Sequence, residues 1–199
     1  PKLNTKSIPK LQFVVSLAFY EHFIFGHSFS KVKLEFFLKQ TENFEKFFKN
    51  YKAKLLNLIQ KYLGSKWSEK NIEIHLFFPP SNQEFPSIAH PLLLCWKRDK
   101  YLMLHILVHE LIHRYIFYDK NFNKLKLSSF QVEVISTLVA DKIIRTLFGK
   151  AVAIRLCKNF TKIIKTDDIK TIFMAVREIE DGWNLKKMPV LHYLNKNII

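Results

Sequence analysis

Apolar positions recur every three or four residues along several stretches of this chain, a spacing that predicts amphipathic helices. The predicted helices span roughly residues 10–25, 41–63, 100–118, 128–148, 150–164 and 167–182. Glycine favours the left-handed conformation that often follows a helix, so glycines are expected to end four of these elements: Gly26, Gly64, Gly149 and Gly182. The expected N-terminal caps are Thr41, Asp99, and Ser128 or Ser129.

Two shorter segments have the pattern of strands. Residues 72–78 alternate and then become apolar, and residues 92–96 form a second short apolar run. His75 should face away from Ile74 and Leu76, toward solvent. Since helices dominate the pattern, the expected fold class is a mostly helical α+β domain with a small sheet.

The length and composition predict one domain over residues 1–199 with its own hydrophobic core. Hydrophobic residues make up 48% of the chain, which excludes global disorder, and only four glycines are present, which disfavours turn-rich all-β folds. The expected parts are N-terminal helices over 1–63, a central core over 72–148, and helices with a poorly patterned tail over 150–199. The apolar segment from 11 to 25 is too short and too polar to span a bilayer.

The chemistry of the chain is indicated by the run His109-Glu110-Leu111-Ile112-His113. Residues four apart lie on one face of a helix, so both imidazoles can reach one metal ion while Glu110 lies beside them. A random chain of this composition contains such a run with a probability of roughly 2%. The flanking residues are mostly apolar, which predicts a buried helix, and ionisable groups there are costly unless paired or bound to a metal. The sequence therefore predicts a site for one Zn²⁺ ion within 72–148.

A catalytic zinc site takes three protein ligands and leaves a fourth position open. Glu133 lies on the next predicted helix, and two antiparallel helices would bring its carboxylate beside the two histidines, so it is favoured as the third ligand. Asp119 is the alternative, although Ile116 stands where a glycine would make the necessary sharp turn. His105 lies one turn before His109, and three histidines along one helix cannot share a tetrahedral ion well. We expect His105 to be a hydrogen-bonded neighbour.

With these residues the chain resembles the gluzincin group of zinc metallopeptidases, which have the thermolysin-like H-E-x-x-H plus Glu pattern. The resemblance covers residues 72–148 and rests on His109, Glu110, His113 and Glu133. It implies a zincin-like fold, with a small sheet beside the motif helix and a ligand-bearing helix after it. It also implies hydrolysis of peptide bonds, with Glu110 as the general base toward a zinc-activated water.

The resemblance further implies residues around the metal. In that group an acidic residue often stands four after the ligand Glu and orients a zinc histidine. This chain has Thr137 there, whose hydroxyl could accept from an imidazole N–H, although ordinary helix packing is favoured. Asp141, a turn later, is expected to form a salt bridge or to lie at a helix boundary. The oxyanion needs a donor, often His or Tyr, and the candidates are His192, Tyr193, Tyr115 and His90. Such enzymes hold the substrate as a strand added to the sheet, for which 72–78 or 92–96 is expected.

The net charge of +15 leaves a nucleic-acid partner open, but the lysines are spread along the chain, which favours solvated faces. A DNA-associated protease similar to the SprT-like group is one alternative, although that group uses a third histidine that is missing between His113 and His192. A non-catalytic regulator that retains the fold is another, and an intact Glu110 argues against it. Two lone cysteines, Cys95 and Cys157, offer no disulfide framework and weakly favour a cytoplasmic location. The sequence predicts a peptide or protein substrate and leaves the oligomeric state open.

Overall fold

The sheet at the centre of the fold combines parallel and antiparallel pairing. The computed structural model describes residues 8–15, 31–77, 88–163, 169–186 and 188–197. Its strands are β1 (Lys10–Val15), β2 (Asn71–Phe77), β3 (Ile88–Ala89) and β4 (Leu92–Cys95), in the order β1-β2-β4-β3. The pairs β1·β2 and β2·β4 are parallel, and β3 runs antiparallel to β4. The predicted strands over 72–78 and 92–96 are thus confirmed to within a residue where the structure describes them.

The expectation of a helix from residue 10 is wrong for its first six residues, which form β1. Leu11 is buried, Gln12 is exposed and Phe13 packs against the core, which is the two-residue alternation of a strand. The register pairs Leu11 with Ile72 and Phe13 with Ile74. A partner strand about 60 residues away in sequence supplies the hydrogen bonds, and a local pattern cannot reveal such a partner. Residues 16–25 of the predicted helix lie outside the described residues.

Two helices occupy the region predicted as one helix over 41–63. Helix α1 (Lys31–Lys49) begins ten residues earlier than expected, so Thr41 lies inside it and does not cap it. Helix α2 (Lys52–Leu63) follows after a break at Asn50 and Tyr51. Gly64 ends α2 as predicted, with a left-handed φ of 92° and its N–H donating to the carbonyl of Gln60.

The helices after the sheet carry the rest of the fold. They are α3 (Lys100–Tyr118), the short α4 (Lys120–Asn123), α5 (Ser129–Phe148), α6 (Lys150–Ile163), α7 (Ile169–Lys186) and α8 (Val190–Asn197). The predicted bounds of α3, α5 and α6 are confirmed to within one residue. The prediction that Gly182 ends a helix is wrong, because α7 continues to Lys186. The tail expected to lack pattern forms α8, with Val190, Leu191 and Leu194 buried.

Helix α3 lies at the centre of this arrangement. It contacts β3 and β4 on one side, and α5 and α6 elsewhere on its surface. Twelve of its nineteen residues are buried, and the ten apolar ones among them join the strands and neighbouring helices in one hydrophobic cluster. A helix enclosed to this extent is held by packing around most of its circumference. The side chains on its face toward α5 therefore have fixed positions. Among the described helices, none combines the length and apolarity that crossing a membrane demands.

Candidate metal centre

Helix α3 places His109 and His113 side by side. The Asp99 carboxylate caps its first turn by accepting hydrogen bonds from the N–H groups of Tyr101, at 2.8 Å, and Leu102, at 3.3 Å. The cap and the apolar flanks fix the helix, so the two histidines project one turn apart from the same face. Their Nε2 atoms are 2.9 Å apart, and their ring centroids are 4.6 Å apart. Both rings therefore direct the same nitrogen toward one point.

Helix α5 brings a carboxylate to that point. A capping box begins it: the Ser128 hydroxyl accepts from the N–H of Gln131, and the Gln131 side chain accepts from the N–H of Ser128. Glu133, one turn further on, faces α3. Its Oε1 is 3.1 Å from Nε2 of His109, and its Oε2 is 3.0 Å from Nε2 of His113. The two oxygens of one carboxylate are divided between the two imidazoles.

The three side chains have the chemistry of a zinc site. His109, His113 and Glu133 each offer one ligand atom, and these three atoms lie within 4.8 Å of one another. Tetrahedral zinc with bonds of about 2.0–2.1 Å separates its ligand atoms by about 3.3 Å. The two imidazole nitrogens, 2.9 Å apart, would have to separate by a few tenths of an ångström, and the Glu133 carboxylate would have to turn so that its oxygen contacts the ion instead of the two rings. Two imidazoles and one carboxylate, on helices fixed by caps and packing, therefore fit such an ion.

The electrostatics of the cluster favour a negative charge on Glu133 and a positive charge on His109. Burial favours the neutral form of Glu133, but hydrogen bonds from His109 and His113 outweigh it and hold the pKa of that carboxyl well below its usual range. Burial likewise opposes protonation of His109, yet the hydrogen bond and the charge of Glu133 raise its pKa above the usual value. The negative charge of Glu133 thus favours a positive charge on His109.

The pKa of the Glu110 carboxyl is shifted in the opposite direction from that of Glu133. Burial raises the pKa of the Glu110 carboxyl, and the charge of Glu133 adds to the increase, although His109 and His113 lower it. The side chain is half-buried and interacts electrostatically with all three members of the cluster. A carboxylate whose pKa is raised toward neutrality is suited to accept a proton and release it again.

A cleft of about 430 Å³ opens beside the cluster, with His113 and Glu133 in its wall. His90, which directly follows β3, lies in the wall as well. Most of the remaining lining is apolar and comprises Ile116, Phe117, Phe122, Leu127 and Val132. A cleft of this size and character is typical of a site for a small molecule or for a peptide segment.

Asp119, the alternative third ligand, lies apart from the cluster. Its Oδ1 accepts hydrogen bonds from the N–H groups of Asn121, at 2.8 Å, and Phe122, at 3.1 Å, so it caps α4. Its Oδ2 accepts from the hydroxyl of Ser65. The carboxylate of Asp119 is thus engaged in fixing the turn between α3 and α5.

The other histidine and threonine candidates on these helices are buried. His105 is 2% exposed, and the group of possible ligands does not include it. Burial, reinforced by the nearby His109, lowers the pKa of His105 to about 3. Thr137 lies one turn beyond Glu133, and its hydroxyl has no hydrogen-bond partner among the described residues. Asp141 pairs with Arg145 on the same helix, as a salt-bridging role predicts.

The four candidate oxyanion donors lie in different parts of the fold. His192 is exposed and Tyr193 is half-buried on α8, which packs against α2 and α7 and contributes neither residue to the described cleft wall. Tyr115 is buried on α3, with its ring against Trp67. His90 alone of the four lies in the described wall of the cleft.

Arg114 and Glu69 form an ion pair that the sequence pattern did not predict, next to the residue that precedes His90. The guanidinium of Arg114, the residue after His113, donates to both carboxylate oxygens of Glu69 at 2.6 to 3.1 Å. It also donates to the carbonyl of Ala89 at 3.2 Å, which ties β3 to α3. The partners are 45 and 25 positions away in sequence, so no local spacing signals the contact.

Comparison with protein families, characterised proteins and solved structures gives no match for this chain.

Proposed function

We propose that this chain is a zinc-dependent metallopeptidase of the gluzincin type, with a zincin-like core. The convergence of His109, His113 and Glu133 within 4.8 Å, with Glu110 in the same helix turn, is the observation that carries the proposal. Two imidazoles and a carboxylate are a ligand set of catalytic zinc sites, and such sites leave a position open for water or substrate. The cleft beside His113 and Glu133 supports access of a substrate to that position.

In this proposal, three residues would bind the metal ion and a fourth would transfer protons. When bound, zinc supplies Lewis acidity that polarises a carbonyl and makes water easier to deprotonate. His109, His113 and Glu133 hold the ion, and the depressed pKa of the Glu133 carboxyl keeps that ligand ionised. Glu110 accepts the proton of the attacking water and returns it to the leaving amine, for which its raised pKa is favourable.

His90 is the side chain best situated to contact the substrate carbonyl. It lies in the cleft wall with His113, and its ring packs on Phe117 with a centroid distance of 4.1 Å. Burial and the charge of Arg114 lower the pKa of His90, so its ring is neutral near pH 7 and retains one N–H donor. We assign to it the role of hydrogen-bond donor toward the developing oxyanion.

The sheet topology supports β3 as the strand along which a peptide substrate would bind. Strand β2 lies between β1 and β4, and β4 lies between β2 and β3, so the expected substrate strands 72–78 and 92–96 are both interior. Among the described strands, β1 and β3 are the edges, and β3 is the edge that contacts α3 and is followed by His90 of the cleft wall. An extended peptide added along β3 would continue into the cleft.

Two variants test the proposal. Glu110→Gln should retain one zinc per chain and lose at least about 100-fold in hydrolysis of a casein or peptide substrate, because the ligands remain and the base is removed. Glu133→Ala should lose the metal as well as activity. Glu178→Gln, an exposed change on α7, is the matched control and should leave both unchanged.

Wild-type protein that binds zinc stoichiometrically yet hydrolyses no peptide would favour the non-catalytic regulator. Zinc fully retained in Glu133→Ala would remove Glu133 from the ligand set.

A further inference from the structure

The cleft beside the candidate metal centre has mostly apolar walls, in which Glu133 and Lys126 carry opposite charges. Ile116, Phe117, Phe122, Leu127 and Val132 are its apolar lining residues. Glu133 lies at the metal end, with Glu110 in electrostatic range of it. Of the described lining residues, Lys126 is the one that carries a permanent positive charge. Lys126 is exposed at this wall, so its ammonium group can contact a ligand that enters the cleft from solvent.

The backbone at Lys126 is held in an unusual conformation. Its φ is +49°, the left-handed region that side chains other than glycine, asparagine and aspartate seldom adopt. The turn is fixed from both sides: Leu125 N–H donates to the Phe122 carbonyl at 2.9 Å, and the Ser128 capping box follows. Phe122 is buried and Leu127 is half-buried, so both anchor the turn to the cleft wall. A strained residue kept at a cleft is a recognised feature of ligand-binding sites.

We propose that Lys126 is a specificity-determining residue that binds a carboxylate of the peptide substrate, an inference that rests on the proposed peptidase function. A substrate carboxylate near Glu110 and Glu133 would be repelled, whereas at Lys126 it is neutralised. The apolar walls of the same cleft take one large apolar side chain. The preferred substrate therefore carries an apolar residue and a carboxylate on the same side of the scissile bond. That carboxylate belongs either to the chain terminus or to an acidic side chain.

Binding of uncleaved peptide separates this inference from catalysis. Zinc-loaded Glu110→Gln protein is titrated calorimetrically with three versions of one peptide: a C-terminal acid, the C-terminal amide, and the amide with Asp in place of the last residue. Adding Lys126→Gln should weaken binding of a carboxylate-bearing version by about tenfold and leave the plain amide unchanged, since a charge-assisted hydrogen bond is lost. Lys126→Arg should restore most of the affinity. The version that responds identifies the source of the carboxylate.

Lys124→Gln is the matched control, because Lys124 is an exposed lysine two residues earlier and does not line the cleft. It removes the same charge and should leave all three affinities unchanged. Equal weakening of acid and amide by Lys126→Gln, or equal effects of the two lysine variants, would overturn the inference. Failure of the proposed function has a different signature: wild-type protein would hydrolyse none of the peptides, whatever the Lys126 variants bind.

Discussion

Arg114 and Glu69 form a half-buried ion pair in which Nε and Nη2 of the guanidinium contact both carboxylate oxygens. Arg114 follows His113 on α3, and Glu69 precedes β2, so the pair joins the candidate metal centre to the sheet. The guanidinium also lies 5.0 Å from the centre of the Tyr118 ring. This geometry uses the planar fork of arginine, which lysine lacks.

Glu69→Gln is therefore expected to destabilise the fold by about 1–3 kcal/mol, because it leaves a half-buried guanidinium without its counter-charge. Chemical denaturation of the zinc-loaded protein measures the change. Glu42→Gln removes an exposed partner of Lys46 and serves as the control that should leave the midpoint unchanged. A loss no greater in Glu69→Gln than in Glu42→Gln would contradict this view of the pair.

Acid sensitivity should depend on His105. Its pKa is about 3 in the folded protein because burial disfavours the imidazolium, whereas in the unfolded chain it is about 6.5. The unfolded state therefore binds more protons between these values, and the stability that His105 contributes is complete above about pH 6.5 and declines as the pH falls toward 3. His105→Leu should reduce the dependence of unfolding free energy on pH in this window by up to about 1.4 kcal/mol per pH unit.

Denaturant titrations of both proteins at several pH values, with zinc removed, measure the difference in slope. Groups that do not interact with His105 contribute equally to the two proteins and cancel in the comparison, whereas His109 is coupled to His105 and shares in the difference. Parallel curves for wild type and His105→Leu would show that residue 105 does not titrate differently on folding.

Elements with local signals were predictable, and elements that depend on distant partners were not. Asp99 and Ser128 cap their helices through residues two or three positions away, so their roles follow from sequence. Glu133 reaches the histidines because the connection that contains α4 returns the chain along α3, and the sequence spacing also predicts this pairing of two helices. In contrast, β1 needs a parallel partner far along the chain, and Lys126 reaches the cleft through the conformation of one turn.

Thr137 offers a test of the support around the metal. Its hydroxyl is buried without a hydrogen-bond partner among the described residues, although the resemblance to gluzincins suggested contact with a ligand histidine. Thr137→Val should thus keep the zinc affinity within about twofold and stabilise the protein by about 1 kcal/mol, because a methyl group replaces an unsatisfied hydroxyl. Competition with a chelator gives the affinity, and denaturation gives the stability. A zinc affinity lowered 10- to 100-fold would instead assign to Thr137 the orienting role that residues behind metal ligands often have.

Removal of the metal should loosen the junction of α3 and α5. The ligands come from both helices, so an ion that binds the folded state alone stabilises their packing. At free zinc 100 times its dissociation constant, the gain is about 2.7 kcal/mol, which corresponds to a rise in Tm of about 5–10 °C for a chain of this size. Calorimetry of the protein with chelator and with added zinc measures it. Glu133→Gln loses one ligand and should show a rise less than half as large. An equal rise in wild type and Glu133→Gln would place the stabilising ion elsewhere on the protein.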